Sequence, residues 1–380
     1  MKNRLYFIDY IRVFAFLLLI FFHSALPFVN YNWEVKNEQK SDILLSIVMW
    51  FHQWRLPLLF FISGVGIYFS LKTRNILKFT LERFRRLFIP LVFAMLFTIP
   101  VQVYVEYLQK GRITGSYFDF YPSVWNFVPY PDGSLTWSHM WFIVYLLTFI
   151  LILIPLFSIM KIKMIEKYKD VFSNLLSSKY LLFLVFFIQY YNYYQFYLKY
   201  PEQGSLVDDW FVFNSSITYL ILGYLLASSN QFWENCERYR KICLSFAAVT
   251  STILFLNYYL PNALPKKAGM DAQVYFLLDA LQIWSIILTI IGFAKKHLTT
   301  SSSILQYLNQ AVFPFFIIHQ TIIVAIGYWI VQLKVSIFTK YMLLSICSSI
   351  IIYALYEYVI RRTKLTRFLY GIKKQKMQLP

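Results

Sequence analysis

For its size this chain has very little charge. Asp, Glu, Lys and Arg make up 14% of its 380 residues, where an ordinary soluble domain carries about 25%. That shortage, set against 59% hydrophobic residues, excludes a soluble enzyme and a disordered chain. Cysteine is scarce too. Cys236, Cys243 and Cys347 form no CxxC and no even framework, so neither a disulfide scaffold nor a thiolate metal site is expected. The five histidines include no HExxH or similar spacing, and no metal is expected. Eleven glycines with no matching halves leave little of what a transporter built on broken helices uses. No repeat with a period of 20–50 residues stands out.

What the chain has is long apolar runs. Ten are long enough, or nearly so, to span a bilayer as helices of about 20 residues. They lie near 6–29, 43–70, 87–108, 139–160, 180–198, 211–228, 242–260, 272–294, 311–333 and 338–360, the sixth being short and carrying Asn214, Ser215, Ser216 and Thr218. The expected fold is all-α, a polytopic membrane helix bundle. The net charge of +18 would point a soluble protein towards nucleic acid, but here its placement matters more. With the N-terminus inside, 25 of the 36 Lys and Arg residues fall on the inner side, from Lys2 and Arg4 to the tail, and 9 on the outer side. Both termini are therefore expected in the cytoplasm, with 1–360 as the transmembrane domain and 361–380 as a basic tail. The first run has a basic start, like a signal peptide. It is longer than a usual signal core and carries Asp9, Arg12 and His23, so it reads as a retained helix. The outer segment 109–138 is rich in aromatics, which suits either an interfacial belt or stacking on sugars.

Ionisable residues inside spans are costly and normally face the bundle interior. Asp9 and Arg12 are three apart and can pair on one helical face. Arg12 and His23 are eleven apart, which is three turns plus roughly 20°, so they share a stripe about 16 Å long. A hydrogen-bonded interior histidine and a snorkelling, Asp9-paired arginine fit these residues as well as a general base and an anion binder do. His52 and Arg55 face one way ahead of Pro57, while Ser63 and Gly64 allow close helix approach. Arg83 and Arg86 lie in an inner cluster that is either a positive-inside signal or a phosphate holder. His139 precedes Trp141-Phe142 at a helix start, and His319 follows Phe315 and Phe316 in the ninth span.

Asp9-x-x-Arg12 followed by ten residues and His23 resembles the arginine–x10–histidine signature of the acyltransferase-3 family of integral membrane acyltransferases. Phe60-Phe61-Ile-Ser63-Gly64 is similar to its FFxxSG, with one residue rather than two between the aromatic pair and Ser63, Arg83-Phe-Arg-Arg86 to its RxxR, and Trp141-Phe142 to its mid-chain WF. The segment ending in His319 is similar to its late YxxxH-type helix. Tyr10 and Val13 stand where many relatives carry glycine. The runs around His52–Gly64 and Glu82–Phe93 look most like the osmoregulated periplasmic glucan succinyltransferase group, glucan biosynthesis protein C. The chain ends soon after the tenth span, so the family's form without a C-terminal esterase-like domain is expected.

The resemblance implies O-acyl transfer from cytosolic acyl-CoA, as co-substrate, to a hydroxyl of an extracytoplasmic carbohydrate or other envelope acceptor. It implies a multi-pass protein of the inner cell membrane with no permanently bound cofactor and no nucleic-acid partner. In that reading His23 is the general base and Asp9 orients Arg12. Arg12, Arg83, Arg86 and Ser63 serve the donor, and His52, Arg55, Trp141 and His319 support the acyl or acceptor side. The acyl group, acetyl or succinyl, stays open, as does the oligomeric state. The rival readings are a polytopic transporter or flippase of a lipid-linked sugar, which would leave thioesters intact, and a non-catalytic receptor or scaffold.

Overall fold

The computed structural model describes residues 5–200 and 202–372. Lys2, Arg4 and tail residues 373–380, part of the inner charge count, lie outside the described residues. Among the described residues the secondary structure is helical, with one isolated bridge between Pro129 and Leu135. The long elements are α1 (Tyr6–Ala25), α2 (Asp42–Thr73), α3 (Ile76–Gln109), α4 (Trp141–Ile159), α5 (Ile165–Leu176), α6 (Leu181–Tyr197), α7 (Trp210–Leu226), α8 (Asn230–Tyr259), α9 (Met270–His297), α10 (Ser303–Ile330) and α11 (Ile337–Ile360), and the short α12 (Lys364–Leu369) follows.

Among the described residues, eight helices are long and apolar enough to cross a membrane, or nine if the bent pair α5–α6 is one span. The fold is an all-α polytopic bundle, and each of the ten expected runs finds a helix. One differs from the expectation: the fifth run is one limb of a pair bent by 84°. The sixth, α7, is short as expected, with 17 residues. The stretch 161–179, expected as a loop, contains α5, because a helix whose other face is polar carries too little hydropathy to register as a span. Several helices also begin earlier than expected: α3 at 76, α8 at 230 and α10 at 303. Apolarity marks the span, whereas backbone hydrogen bonding continues through polar and charged turns.

The chain forms two compact units. Among the described residues, the first falls within 5–15, 45–81 and 145–302, and the second within 16–44, 82–144 and 303–372. In the first unit α2 and α7 cross at two glycines. A Cβ on Gly64 would sit 2.0 Å from the Leu220 carbonyl oxygen, and one on Gly223 2.0 Å from that of Phe61. Gly64 therefore does what its small size suggested. The Asp279 carboxylate of α9 is fully buried and accepts hydrogen bonds from the hydroxyls of Tyr193 and Tyr259, the latter at 2.9 Å.

In the second unit the chain after α1 forms a packed plug rather than a loose loop. Leu26, Pro27, Phe28 and Val29 are buried, and Val35 packs against Val105 of α3 and Val324 of α10. Gln109 clasps the Lys36 backbone, accepting from its N–H at 2.7 Å and donating to its carbonyl at 2.8 Å. Lys340 of α11 donates to the Asn37 side chain at 2.7 Å. The aromatic segment folds onto α3. Tyr107 donates to the Pro131 and Gly133 carbonyls, Tyr104 to Gly115, and Tyr117 and Phe120 pack on Tyr104. Pro100 cannot donate back into its helix, and the Leu96 carbonyl one turn earlier accepts the Tyr121 hydroxyl at 3.3 Å. Phe118, Trp125 and Phe127 remain exposed.

Candidate active site

A hydrogen-bonded chain of histidines lies in the second unit. His319 is buried on α10, and its Nδ1 lies 2.6 Å from the Phe316 carbonyl oxygen of its own helix. A carbonyl only accepts, so this nitrogen carries the proton and the neutral ring presents the Nε2 lone pair. His319 Nε2 lies 2.9 Å from His23 Nδ1. His23 must then donate from Nδ1, which leaves its lone pair on Nε2. The backbone of α10 thus sets the tautomers of two rings in series. The His23 ring is also stacked on Trp33, with centroids 5.3 Å apart and planes at 16°. His23 is half-buried, whereas His319 is only 1% exposed, so His23 is the ring a substrate can meet.

A third histidine completes the cluster. His139, in the turn before α4, packs edge-on to His319 with centroids 5.2 Å apart. Its Nε2 lies 3.1 Å from the Ile317 carbonyl oxygen, and its Nδ1 3.3 Å from the amide nitrogen of Gln102. Gln102 uses its other amide hydrogen on Thr321 at 2.7 Å and accepts from Ser138 at 3.0 Å. The Thr321 hydroxyl donates to the Thr98 carbonyl, inside the π-helical turn Ala94–Thr98 of α3. The three consecutive polar residues His319, Gln320 and Thr321 are therefore all engaged.

Gln320 donates to Glu34 Oε1 at 2.7 Å. Glu34 is half-buried as a residue, but its Oε2 is out of solvent's reach. Burial pushes this carboxyl up from 4.5 to about 7, with the Glu106 carboxylate adding to the rise; a backbone hydrogen bond, the Gln320 amide and Lys110 oppose it.

The other expected site residues separate into local clusters. In the first unit Arg12 Nη1 pairs with Asp9 Oδ1 at 3.2 Å, as the i, i+3 spacing required, and Arg12 Nη2 lies 3.7 Å from where Gly66 would carry a Cβ. His52 Nε2 meets Glu202 Oε2 at 2.7 Å, and Arg55 is buried on the same helix. Burial alone would raise the Glu202 carboxyl, but His52, by charge and by hydrogen bond, and Arg55 hold it below its ordinary value. The Ser63 hydroxyl donates to the Leu59 carbonyl of its own helix at 2.8 Å.

In the second unit Arg83 and Arg86 are half-buried. Arg86 Nε donates to the Gly371 carbonyl at 3.2 Å, so this arginine also anchors the turn after α12. Gly371 has φ +65°, and a Cβ there would lie 2.7 Å from the Phe313 ring, so only glycine fits. Trp141 opens α4 and is half-buried.

The sequence places His319 among supporting residues without pairing it with His23, and it points to no role for Trp33, Glu34, Gln102 or Gln320. The available signal is the run of three consecutive polar residues, His319-Gln320-Thr321, inside an otherwise apolar span.

Glucans biosynthesis protein C of Escherichia coli strain SMS-3-5 / SECEC is 30% identical to this chain over 148 residues, 38% of this chain and 36% of that protein. The same protein of Escherichia coli strain K12 matches with the same identity and the same shares. The chain thus spans little more than a third of the length of these relatives. No solved structure matches the chain. Residues 5–354 match the acyltransferase-3 profile, an acyltransferase domain, and the chain belongs to that family.

Proposed function

We propose that this multi-pass membrane protein is an O-acyltransferase. It moves an acetyl or succinyl group from cytosolic acyl-CoA to a hydroxyl of an extracytoplasmic glycan or other envelope acceptor, in the inner cell membrane. The observation that carries this reading is the chain from the Phe316 carbonyl through His319 to His23. A base oriented by a second group, itself fixed by a third, is the arrangement that acyl transfer to a hydroxyl needs. Residues 1–360 form the catalytic domain and 361–380 a cytoplasmic tail.

The acceptor O–H meets His23 Nε2. As the acceptor oxygen attacks the thioester carbonyl, the proton passes to Nε2, and the imidazolium keeps its Nδ1–H bond to His319. Collapse of the tetrahedral species breaks the C–S bond, and His23 returns the proton to the departing thiolate. The ester and the free thiol are the products, and His23 ends neutral. Positioned base catalysis of this kind contributes about 10²–10⁴-fold.

The donor's phosphates are assigned to the guanidinium groups of Arg12, held by Asp9, and of Arg83 and Arg86, whose forks suit phosphate oxygens. Ser63 borders the donor side. Along the unbroken α1, Arg12 and His23 are about 16 Å apart. A donor with a long flexible arm can cover that distance. His52, Arg55 and Trp141 serve the acyl or acceptor end.

The test is free-thiol release from acetyl- and succinyl-CoA by the protein in nanodiscs. Turnover that vanishes in His23→Ala and weakens in Arg12→Ala is the expected result. Intact thioester with both donors would overturn the reading and put a lipid-linked-sugar transporter or flippase in its place.

A further inference from the structure

The plug after α1 carries two polar atoms that the described residues leave without partners. Trp33 Nε1–H is buried and meets no acceptor among them, and Glu34 Oε2 is buried and meets no donor. A buried donor or acceptor left unmade keeps its desolvation cost without recompense, so such groups call for an explanation. Their surroundings are rigid. Val35, the next residue, is held between Val105 and Val324, and Gln109 clasps the backbone at Lys36. Both side chains are tied to the histidine chain. The Trp33 ring is stacked on His23, and Glu34 Oε1 is held by Gln320, the residue after His319.

We propose that Trp33 and Glu34 form a hydroxyl-binding subsite beside His23, which recognises a polyol or carbohydrate acceptor and aims its reacting oxygen. This deepens the acyltransferase reading and rests on it. The chemistry selects the ligand class. A hydroxyl accepts from an indole N–H and donates to a carboxylate oxygen with the same atom. A carbonyl could answer only the first group, and an ammonium only the second. Two adjacent hydroxyls of a sugar could also divide the partners, one to each. Trp33 and Glu34 are positioning residues, acting on the acceptor rather than on the acyl group.

Glycerol, a small triol, is the probe. The full-length protein in nanodiscs is given the better of acetyl- and succinyl-CoA with glycerol, and acylglycerol is measured against free acid formed by hydrolysis in the same tube. This ratio is internal to each preparation, so it does not depend on how much of a variant folds. Trp33→Phe keeps the ring over His23 and removes the N–H. At pH 8, above the value of about 7 to which burial pushes this carboxyl, Glu34→Gln keeps an acceptor for Gln320 and replaces the second carboxylate oxygen by a donor.

Each substitution is expected to lower the acylglycerol-to-acid ratio about tenfold, as the loss of one hydrogen bond to the reacting substrate does. An unchanged ratio in both variants overturns the subsite while leaving the acyltransferase reading in place. His23-dependent hydrolysis without any acylglycerol in the unmodified protein also overturns it. Absence of His23-dependent thioester cleavage overturns the acyltransferase reading, and the subsite with it.

Discussion

His23 Nδ1 donates to a ring nitrogen that is itself oriented by a backbone carbonyl, so replacing His319 acts through His23. His319→Ala is expected to lower kcat about 10–100-fold, the usual cost of losing an orienting partner, with little change in donor KM. His319→Gln offers an amide oxygen to the same N–H and should recover part of the loss. Equal losses in the two variants, or a loss confined to KM, would sink the orienting role. Glu34 supplies a pH test. Its carboxyl is pushed up from 4.5 to about 7, mainly by burial, so the neutral form is favoured in the folded state. The stability it contributes is complete below about 4.5 and is lost as pH rises through about 7. Glu106, Lys110, Lys36 and Tyr130 face it electrostatically. Lys36 is pushed down to about 8, again mainly by burial, so its own effect enters only above that window. The Tm in detergent should therefore fall between pH 5 and pH 7.5, and Glu34→Gln should flatten the profile; parallel profiles would refute the assignment.

At the scale of elements, the α2–α7 crossing is the sharpest constraint. The Cβ positions of Gly64 and Gly223 collide with backbone oxygens, which cannot rotate away as a side-chain tip can. Gly64→Ala and Gly223→Ala should each destabilise by about 1–3 kcal/mol or more, because overpacking has no soft neighbour to displace. Gly66→Ala is the control on the same helix, since its nearest neighbour outside the helix backbone is the Arg12 side chain at 3.7 Å. A thermal scan of the three variants decides this, and equal Tm values would contradict the crossing geometry. The Phe60–Gly64 motif is thus in part a packing device: Phe60 and Phe61 are fully buried, Ser63 bonds back to its own helix, and Gly64 admits the α7 backbone.

For the whole molecule, the distribution of Lys and Arg predicts cytoplasmic termini and an outer segment 109–138. Phe118 in that segment is 83% exposed, and the native Cys236 and Cys243 are buried. In intact cells, Phe118→Cys should react with a membrane-impermeant maleimide, while the unmodified protein should show at most the signal of half-buried Cys347. Labelling only after lysis would invert the topology and place His23 on the cytoplasmic side.

The all-α membrane class, the approximate spans and the Asp9–Arg12 pair are legible in the residues alone. Each follows from a local property: hydropathy over a span, or spacing of three along one helix. His23 and His319 are legible there too, as polar residues in the wrong solvent. Their pairing was not legible, because 296 positions separate them and no helical period relates two different helices. Trp33 and Glu34 lie in a connection with no period to read. That this connection is a buried plug follows from the packing of distant helices, since burial of Val35 against α3 and α10 requires both to be in place. The bend between α5 and α6, the glycine contact of Gly223 with Phe61 and the attachment of Arg86 to Gly371 were decided at the same level. Local chemistry made these residues able to interact, and the packing of distant segments chose their partners.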